Sequence, residues 1–393
     1  MESDSPQPKP HPKRLKTNRI DEGSSDPLPI PNLPEELIQE ILLRLPAKSM
    51  GKFKCVSKSW LSLISSKEFI KTHLAIASRR DDYEHHSLIF SVYPQHFNDY
   101  FRSCLVNFHA ESPETETACA KVSEIRSLVK NKSIWPIGSC DGLICLRNMY
   151  NDLFLCNPCT KQITKLPKMK GIDCALNFGF GYDRLNCDYK IVALIPTAIN
   201  NRFELKVYSL KSKSWRGIKD PKVSVRGNQL ADYLQHASGK LHWLIIDDLS
   251  VSKIASFDLA NETYVEEIDL PNSKGGYHYR LGLLGDDLSL LYNHGTRVDV
   301  WVMKEFWTEI VSIPYVRTSF NQGPYGTQVL ATLRNGEILC LRDSYLLLYN
   351  PKTNISRRFL HIGDFGCTKV MDLGHLMIGN VTLCVESLLS PDI

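Results

Sequence analysis

Long apolar runs are missing from this chain of 393 residues. No stretch approaches the roughly 18 to 20 consecutive apolar residues that a membrane-crossing helix needs, and the polar, proline-rich N-terminus lacks the apolar centre of a secretory leader. Both absences lead to the expectation of a protein of the nucleus and cytoplasm with no membrane partner. In such a compartment the twelve cysteines should be reduced thiols, and their scatter fits single buried strand positions better than a disulfide framework. The sequons at Asn131, Asn261, Asn354 and Asn380 then carry no meaning. The net charge of +4 is too small for this length to imply nucleic-acid binding.

Catalytic signatures are equally scarce. There is no HExxH and no GxSxG. Gly179-Phe180-Gly181 lacks the third glycine and the following helix of a phosphate-cradling loop, and Asp286 and Asp287 fall in an expected turn, where hairpin chemistry accounts for them. Cys156-Asn157-Pro158-Cys159 has the spacing of half a zinc site, but a structural site wants two such pairs. Cys140 and Cys145 are separated by an ordinary strand distance, so thiols alternating into a sheet core are the simpler reading. The expectation is no metal, no cofactor and no catalytic residues.

What is present is ordinary globular composition, 43% hydrophobic and 23% charged, in a length that suggests one small and one large domain. Residues 1–30 hold six prolines among charged and small residues and are expected to be a disordered tail. Their basic cluster, Lys9, Lys13, Arg14, Lys16 and Arg19, suits either a nuclear-import address or a merely solvated tail.

Helical grammar is concentrated between Leu33 and Leu74. Pro34 suits a first helical turn, Glu35 and Glu36 sit at the positive end of the helix dipole, and Leu37, Ile38, Ile41, Leu42 and Leu45 recur at helical spacing until Pro46. A second stripe comprises Phe53, Val56, Trp60 and Ile64, and a third Phe69, Ile70, His73 and Leu74. Three short helices in about 40 residues give a marginal core that needs a staple or a partner. Met50-Gly51 puts a glycine inside the second helix, at about 1 kcal/mol relative to alanine. Lys48, Lys52, Lys54, Lys58, Lys67 and Lys71 lie beyond the acidic first helix and would speed association with an acidic partner.

Leu33-Pro34, the apolar run ending in Leu45-Pro46, and Phe53-Lys54-Cys55-Val56-Ser57-Lys58-Ser59-Trp60 resemble the F-box of plant F-box proteins. The resemblance implies docking on a Skp-type adaptor and, through it, on a cullin. Carried over residue by residue, it places the adaptor contacts at Leu33, Pro34, Leu37, Ile38, Ile41, Leu42, Leu45, Pro46, Ser49 and Val56. The alternative is a helical hairpin whose apolar residues only fill a core.

After Leu74 the texture changes to short β-rich runs punctuated by Gly, Pro, Asn and Asp. A strand-turn-strand unit, often ending in Leu-Pro or Ile-Pro, begins at Leu153, Leu205, Ile254, Val298 and Leu346, roughly every 48 residues, the range of propeller blades. Two further strand signals precede each unit, joined by Asp-Gly, Gly-Lys, Gly-Asp-Asp or Asn-Gly pairs that suit tight hairpins. Strand-like remnants before residue 134 and after 362 would share a further blade, closing the ring and removing exposed edges. This region resembles the F-box-associated, kelch-like domain of the same plant proteins, including Asn157-Pro158, Asn350-Pro351 and the terminal Glu386-Ser387-Leu388-Leu389-Ser390-Pro391.

The expected fold class is therefore α+β and multidomain. A small all-α F-box domain over residues 31–75 and a linker over 76–86 lead into an all-β, propeller-like domain of about six blades over 87–391. The implied function is substrate recognition in an SCF-type ubiquitin ligase, with an unknown protein target on the propeller face. The alternatives are a propeller enzyme and a scaffold that binds the adaptor without degradation. Trp215, Trp243 and Trp307 should pack between blades. The loop aromatics Tyr277, Tyr279, Phe320 and Tyr325, beside Gly275-Gly276 and Gly323-Pro324, are the candidate target contacts.

Overall fold

The computed structural model describes residues 33–78, 86–93, 102–107, 121–124, 134–169, 177–196, 203–218, 234–247, 250–271, 278–314, 327–333, 335–342, 345–361 and 377–392. The expected tail and its basic cluster lie outside them. The chain divides into two units between Ile41 and Leu42.

Four helices come first: α1 (Glu35–Leu43), α2 (Ala47–Phe53), α3 (Lys58–Ser65) and α4 (Lys67–Ser78). Three were expected, and the difference has a local cause. Ser57 is extended (φ −156°, ψ 166°), and its Oγ accepts the Trp60 N–H at 3.1 Å, so it breaks the second stripe and caps a new helix. Within the second unit the helices bury Leu42, Met50, Ile64, Phe69 and Ala77. His73, also buried, donates from Nε2 to the Leu45 carbonyl at 2.8 Å and stacks on Phe69.

The strands form six four-stranded antiparallel sheets. Three strands, β1 (His86–Tyr93), β2 (Arg102–Asn107) and β3 (Lys121–Glu124), belong to a first sheet that lacks its fourth member until the end of the chain. The second sheet is β4 (Ile134–Cys140), β5 (Leu143–Asn148), β6 (Leu153–Asn157) and β7 (Gln162–Lys165). The third is β8 (Asn177–Asp183), β9 (Asp188–Pro196), β10 (Phe203–Ser209) and β11 (Ser214–Ile218). The fourth is β12 (Gln235–Ala237), β13 (Lys240–Asp247), β14 (Ser250–Asp258) and β15 (Thr263–Asp269). The fifth is β16 (His278–Leu284), β17 (Asp287–Asn293), β18 (Arg297–Met303) and β19 (Trp307–Pro314). The sixth is β20 (Thr327–Thr332), β21 (Ile338–Arg342), β22 (Tyr345–Asn350) and β23 (Ile355–His361).

Finally β24 (Met377–Val385) pairs antiparallel with β1, matching Ser87 with Cys384 and Leu88 with Leu383. Five sheets are thus contiguous in sequence, and the remaining one is shared by the two ends of the strand region, as the remnants suggested. The innermost strands β4, β8, β12, β16, β20 and β24 neighbour one another in a closed circle, which makes the array a propeller.

Burial follows from that arrangement. Each sheet packs against neighbours on both faces, so middle strands are apolar on both sides, and β6 is buried at every position. One core joins Leu143, Cys145 and Leu155 of the second sheet to Phe178, Phe180 and Ile191 of the third. The next joins Val192 and Val207 to Trp243 and Phe257. Gly179 and Gly181 exist for this packing. A Cβ at Gly179 would lie 2.6 Å from the Leu234 Cβ, and one at Gly181 would lie 2.3 Å from the His236 ring.

The turns between third and fourth strands repeat one device. Asn157, Asp258 and Asn350 each accept two backbone N–H groups from the residues two and three ahead. The residue four ahead, Lys161, Glu262 or Asn354, takes positive φ. Ser209 and Lys213 supply a hydroxyl version. The Leu-Pro and Ile-Pro strand ends receive bonds from the following sheet: Trp215 Nε1 donates to the Pro167 carbonyl at 2.9 Å, and Tyr349 Oη to Ser312, two residues before Pro314, at 3.4 Å. Trp307 Nε1 likewise donates to the Asp269 carbonyl at 3.0 Å. The three tryptophans expected between blades are placed there, Trp243 fully buried.

One ionic lock joins the third and fourth sheets. Lys190 Nζ, buried, contacts Asp183 Oδ2 at 2.7 Å, Glu262 Oε1 at 2.8 Å and the Leu259 carbonyl at 2.5 Å. Burial pushes the Asp183 carboxyl up, but hydrogen bonds from Lys190 and Asn186 outweigh it and leave Asp183 below the usual carboxylate range. Arg216 also pairs with Glu262, so removing the ammonium leaves Asp183 as the buried acid without its cation. Lys190→Ala should therefore cost about 3–5 kcal/mol in denaturant unfolding; a loss below about 1 kcal/mol, the scale of an exposed pair, would show that the lock contributes nothing.

Candidate functional site

Two surfaces qualify by chemistry. In the first unit Pro34 accepts backbone N–H bonds from Leu37 (3.0 Å) and Ile38 (3.1 Å), which opens α1, while Glu35 and Glu36 occupy its first turn. Leu33, Leu37 and Ile41, four residues apart, are 54%, 46% and 51% exposed, so one face of α1, continued by Leu33 just before it, shows a stripe of large apolar side chains to solvent. Pro34 is exposed and Ile38 half-buried.

In the second unit Leu42 is buried and serves the helical core, Leu45 and Ser49 are half-buried, Pro46 is exposed and Val56 is 60% exposed. Gly51 lies inside α2 with open space where a Cβ would stand. Alanine there removes backbone freedom without a clash, so Gly51→Ala should stabilise by up to about 1 kcal/mol, read as a raised Tm.

The second surface belongs to the propeller. The innermost strands surround a cavity of about 460 Å3. At the end where first strands turn into second strands, Cys140 Sγ lies 3.9 Å from His236 Nδ1, and His236 Nε2 accepts the Tyr182 N–H at 3.4 Å. That acceptance leaves the imidazole proton on Nδ1, facing sulfur. Burial pushes the Cys140 thiol well up and His236 down to about 4, so the pair rests as thiol and neutral imidazole rather than as the thiolate-imidazolium pair of a nucleophilic cysteine. Beside it Tyr189 Oη donates to Asp141 Oδ2 at 2.8 Å, and burial raises the Asp141 carboxyl.

Cys145 and Cys156 are fully buried in sheet cores, where burial raises both thiols, Cys156 to about 12. Cys159 is raised to about 12 by burial, with a contribution from Glu386. Among the described residues no group of three or more His, Cys, Asp and Glu side chains has the arrangement of a metal site.

Of the candidate target contacts, Tyr277, Phe320 and Tyr325 lie outside the described residues. Tyr279 is not a loop residue. It stands in β16, half-buried, with its ring 4.8 Å from that of Tyr292 in an edge-on packing pair, because the strand pairing extends back to His278 opposite Asn293. Two exposed apolar side chains that a strand-and-loop reading does not single out are Met149 and Tyr150, in the turn between β5 and β6. Their signal is two large apolar residues enclosed by turn formers, Asn148 and Asn151-Asp152.

Comparison with known proteins agrees with this geometry. The F-box associated beta propeller domain matches residues 74–376 and the F-box domain residues 30–72. An F-box/kelch-repeat protein of Arabidopsis thaliana is 31% identical over 75% of this chain and 83% of its own length. The F-box protein CPR1 of Arabidopsis thaliana is 28% identical over 72% of this chain and 73% of its own.

His236 carries a prediction for pH. Its folded pKa lies below the usual histidine value, so the unfolded chain binds the extra proton first. Stability should fall as pH drops from about 6.5 toward about 4, and His236→Gln should flatten that part of a Tm-against-pH curve. An unchanged curve would show that the ring is solvated.

Proposed function

The chain belongs to the F-box proteins that carry an associated beta propeller domain, and from that premise we propose that it is the substrate-recognition subunit of an SCF-type ubiquitin ligase. The observation that carries this reading is the exposed apolar stripe of an F-box formed by Leu37 and Ile41 on α1 with Leu33 just ahead of it. Leaving three large aliphatic side chains about half in water forgoes roughly 1 kcal/mol each relative to full burial, a cost that docking on a Skp-type adaptor removes. Pro34, Ile38, Leu45, Pro46, Ser49 and Val56 complete the proposed contacts, while Leu42 is buried in the helical core.

The mechanism is proximity. The F-box fixes the chain on the adaptor and cullin, the propeller holds a target protein, and a charged ubiquitin-conjugating enzyme meets the target's lysines at raised effective concentration. The chain forms no covalent bond. Cys140 and His236, both held neutral, serve packing beside Gly181 in this reading. The place of work is the nucleus and cytoplasm.

The test uses purified components. The full chain should bind a Skp-type adaptor, and Leu37→Ala with Ile41→Ala should cost about 2 kcal/mol each, roughly a thousandfold together. Deleting residues 33–74 should abolish capture. Wild-type affinity in the double variant would sink the placement of the docking face; no binding by the intact chain would sink the receptor reading.

A further inference from the structure

The turn between β5 and β6 is built to hold two apolar side chains in water. Met149 is 61% and Tyr150 69% exposed. Beneath them Asn148 is buried, and its Oδ1 accepts the Tyr150 N–H at 2.9 Å and the Asp152 N–H at 2.8 Å, while its Nδ2 donates to Asp152 Oδ2 at 3.1 Å. Backbone bonds join Asn148 to Asp152 and Asn151 to Asn148, and Asn151 takes positive φ. Asp152 is in turn held by Lys165 at 3.3 Å and Lys168 at 3.2 Å. Exposed tyrosine and methionine on a fixed backbone have the composition of an interface anchor, with the ordering cost already met by the turn.

The position of this turn in the propeller sharpens the inference. β5 runs from the Asp141-Gly142 turn to Asn148. Lys48 of α2 bonds Glu386 at 2.8 Å, and Glu386 follows Val385 beside Gly142. The helices α2 to α4 therefore attach at one end of the second sheet, and Met149 and Tyr150 stand at the other, about 20 Å away by the length of a six-residue strand. Charge gives the occupant's character. Two lysines, 54% and 64% exposed at their side chains, share one carboxylate beside the pair, leaving an excess positive charge there.

We propose that Met149 and Tyr150, flanked by Lys165 and Lys168, are the anchor by which the propeller grips its protein target, and that the segment gripped is acidic and carries apolar side chains. The proposal rests on the receptor reading and names the contact that reading leaves open. The experiment pans a phage-displayed library of random peptides against the immobilised full chain. Enriched peptides should combine Asp or Glu with large apolar residues. They should lose at least about tenfold in affinity for the variant Met149→Ser with Tyr150→Ser, and should weaken for Lys165→Gln with Lys168→Gln.

Melting temperature and adaptor capture of each variant show that it is folded. Enriched peptides that bind the serine variant as well as wild type, enrichment without acidic residues, or no enrichment would each overturn the proposal. Failure of adaptor binding by the wild-type chain would instead overturn the receptor reading and leave the peptide result to judge this surface.

Discussion

The pairing of β24 with β1 is the contact on which the rest of the propeller depends. Without it the first sheet would present β1 as an open edge, and an unpaired edge recruits other chains. The two strands are separated by almost the whole domain, yet loop-closure entropy grows only by about 0.6 kcal/mol per doubling of length. The long separation is thus compatible with a stable ring, although it makes closure a late event in a fold dominated by non-local pairing. The register of Leu88 opposite Leu383 places Ile89 and Cys384 in one core with Ile144 and Cys156 of the second sheet, so the same pairing also completes an inter-sheet core.

Closure has a second consequence, because the chain does not stop at Val385. The following residues are threaded over the second sheet, where Asn157 Nδ2 donates to the carbonyls of Ser387 at 3.0 Å and Leu389 at 2.8 Å. The same asparagine uses its oxygen to shape its own turn. Glu386, at the start of this segment, meets Lys48 of α2. One buried amide and one ion pair thus connect the ring's closing strand both to a turn of the second sheet and to a helix of the F-box. The resemblance carried by Glu386-Ser387-Leu388-Leu389-Ser390-Pro391 has a physical basis in this threading.

Much of this was legible from residue order. Asx-type turn residues recurring with Leu-Pro strand ends gave the sheet repeat, and apolar spacing gave α1. The split between α2 and α3 was harder, since apolar periodicity continues through Val56 and only the extended backbone at Ser57 interrupts it. Tyr279 was misplaced because the adjacent glycines suggest a loop, whereas its packing against Tyr292 is decided by the strand partner. Met149 and Tyr150 were hidden for the opposite reason: apolar residues in a strand-rich region read as core, and only the structure shows them outside it. Contacts that join distant segments, such as Cys140 with His236 or Lys48 with Glu386, leave no spacing to read.

A receptor that works by proximity gains from stiffness between its two binding ends. The effective concentration of a tethered group peaks when the tether matches the required span and falls when it is loose. Here α4 ends at Ser78 and β1 begins at His86, and both residues line the same cavity. Lys48 of α2 also pairs with Glu386, the residue that follows β24. Both contacts lie within the second unit, between α2–α4 and the propeller. The β5 and β6 strands, buried on both faces, run from there to the opposite end of the sheet, where Asn148 fixes the direction of the Met149–Tyr150 turn. On the proposed reading, the second sheet is thus a stiff span between the helices α2–α4 at one end and the target contact at the other.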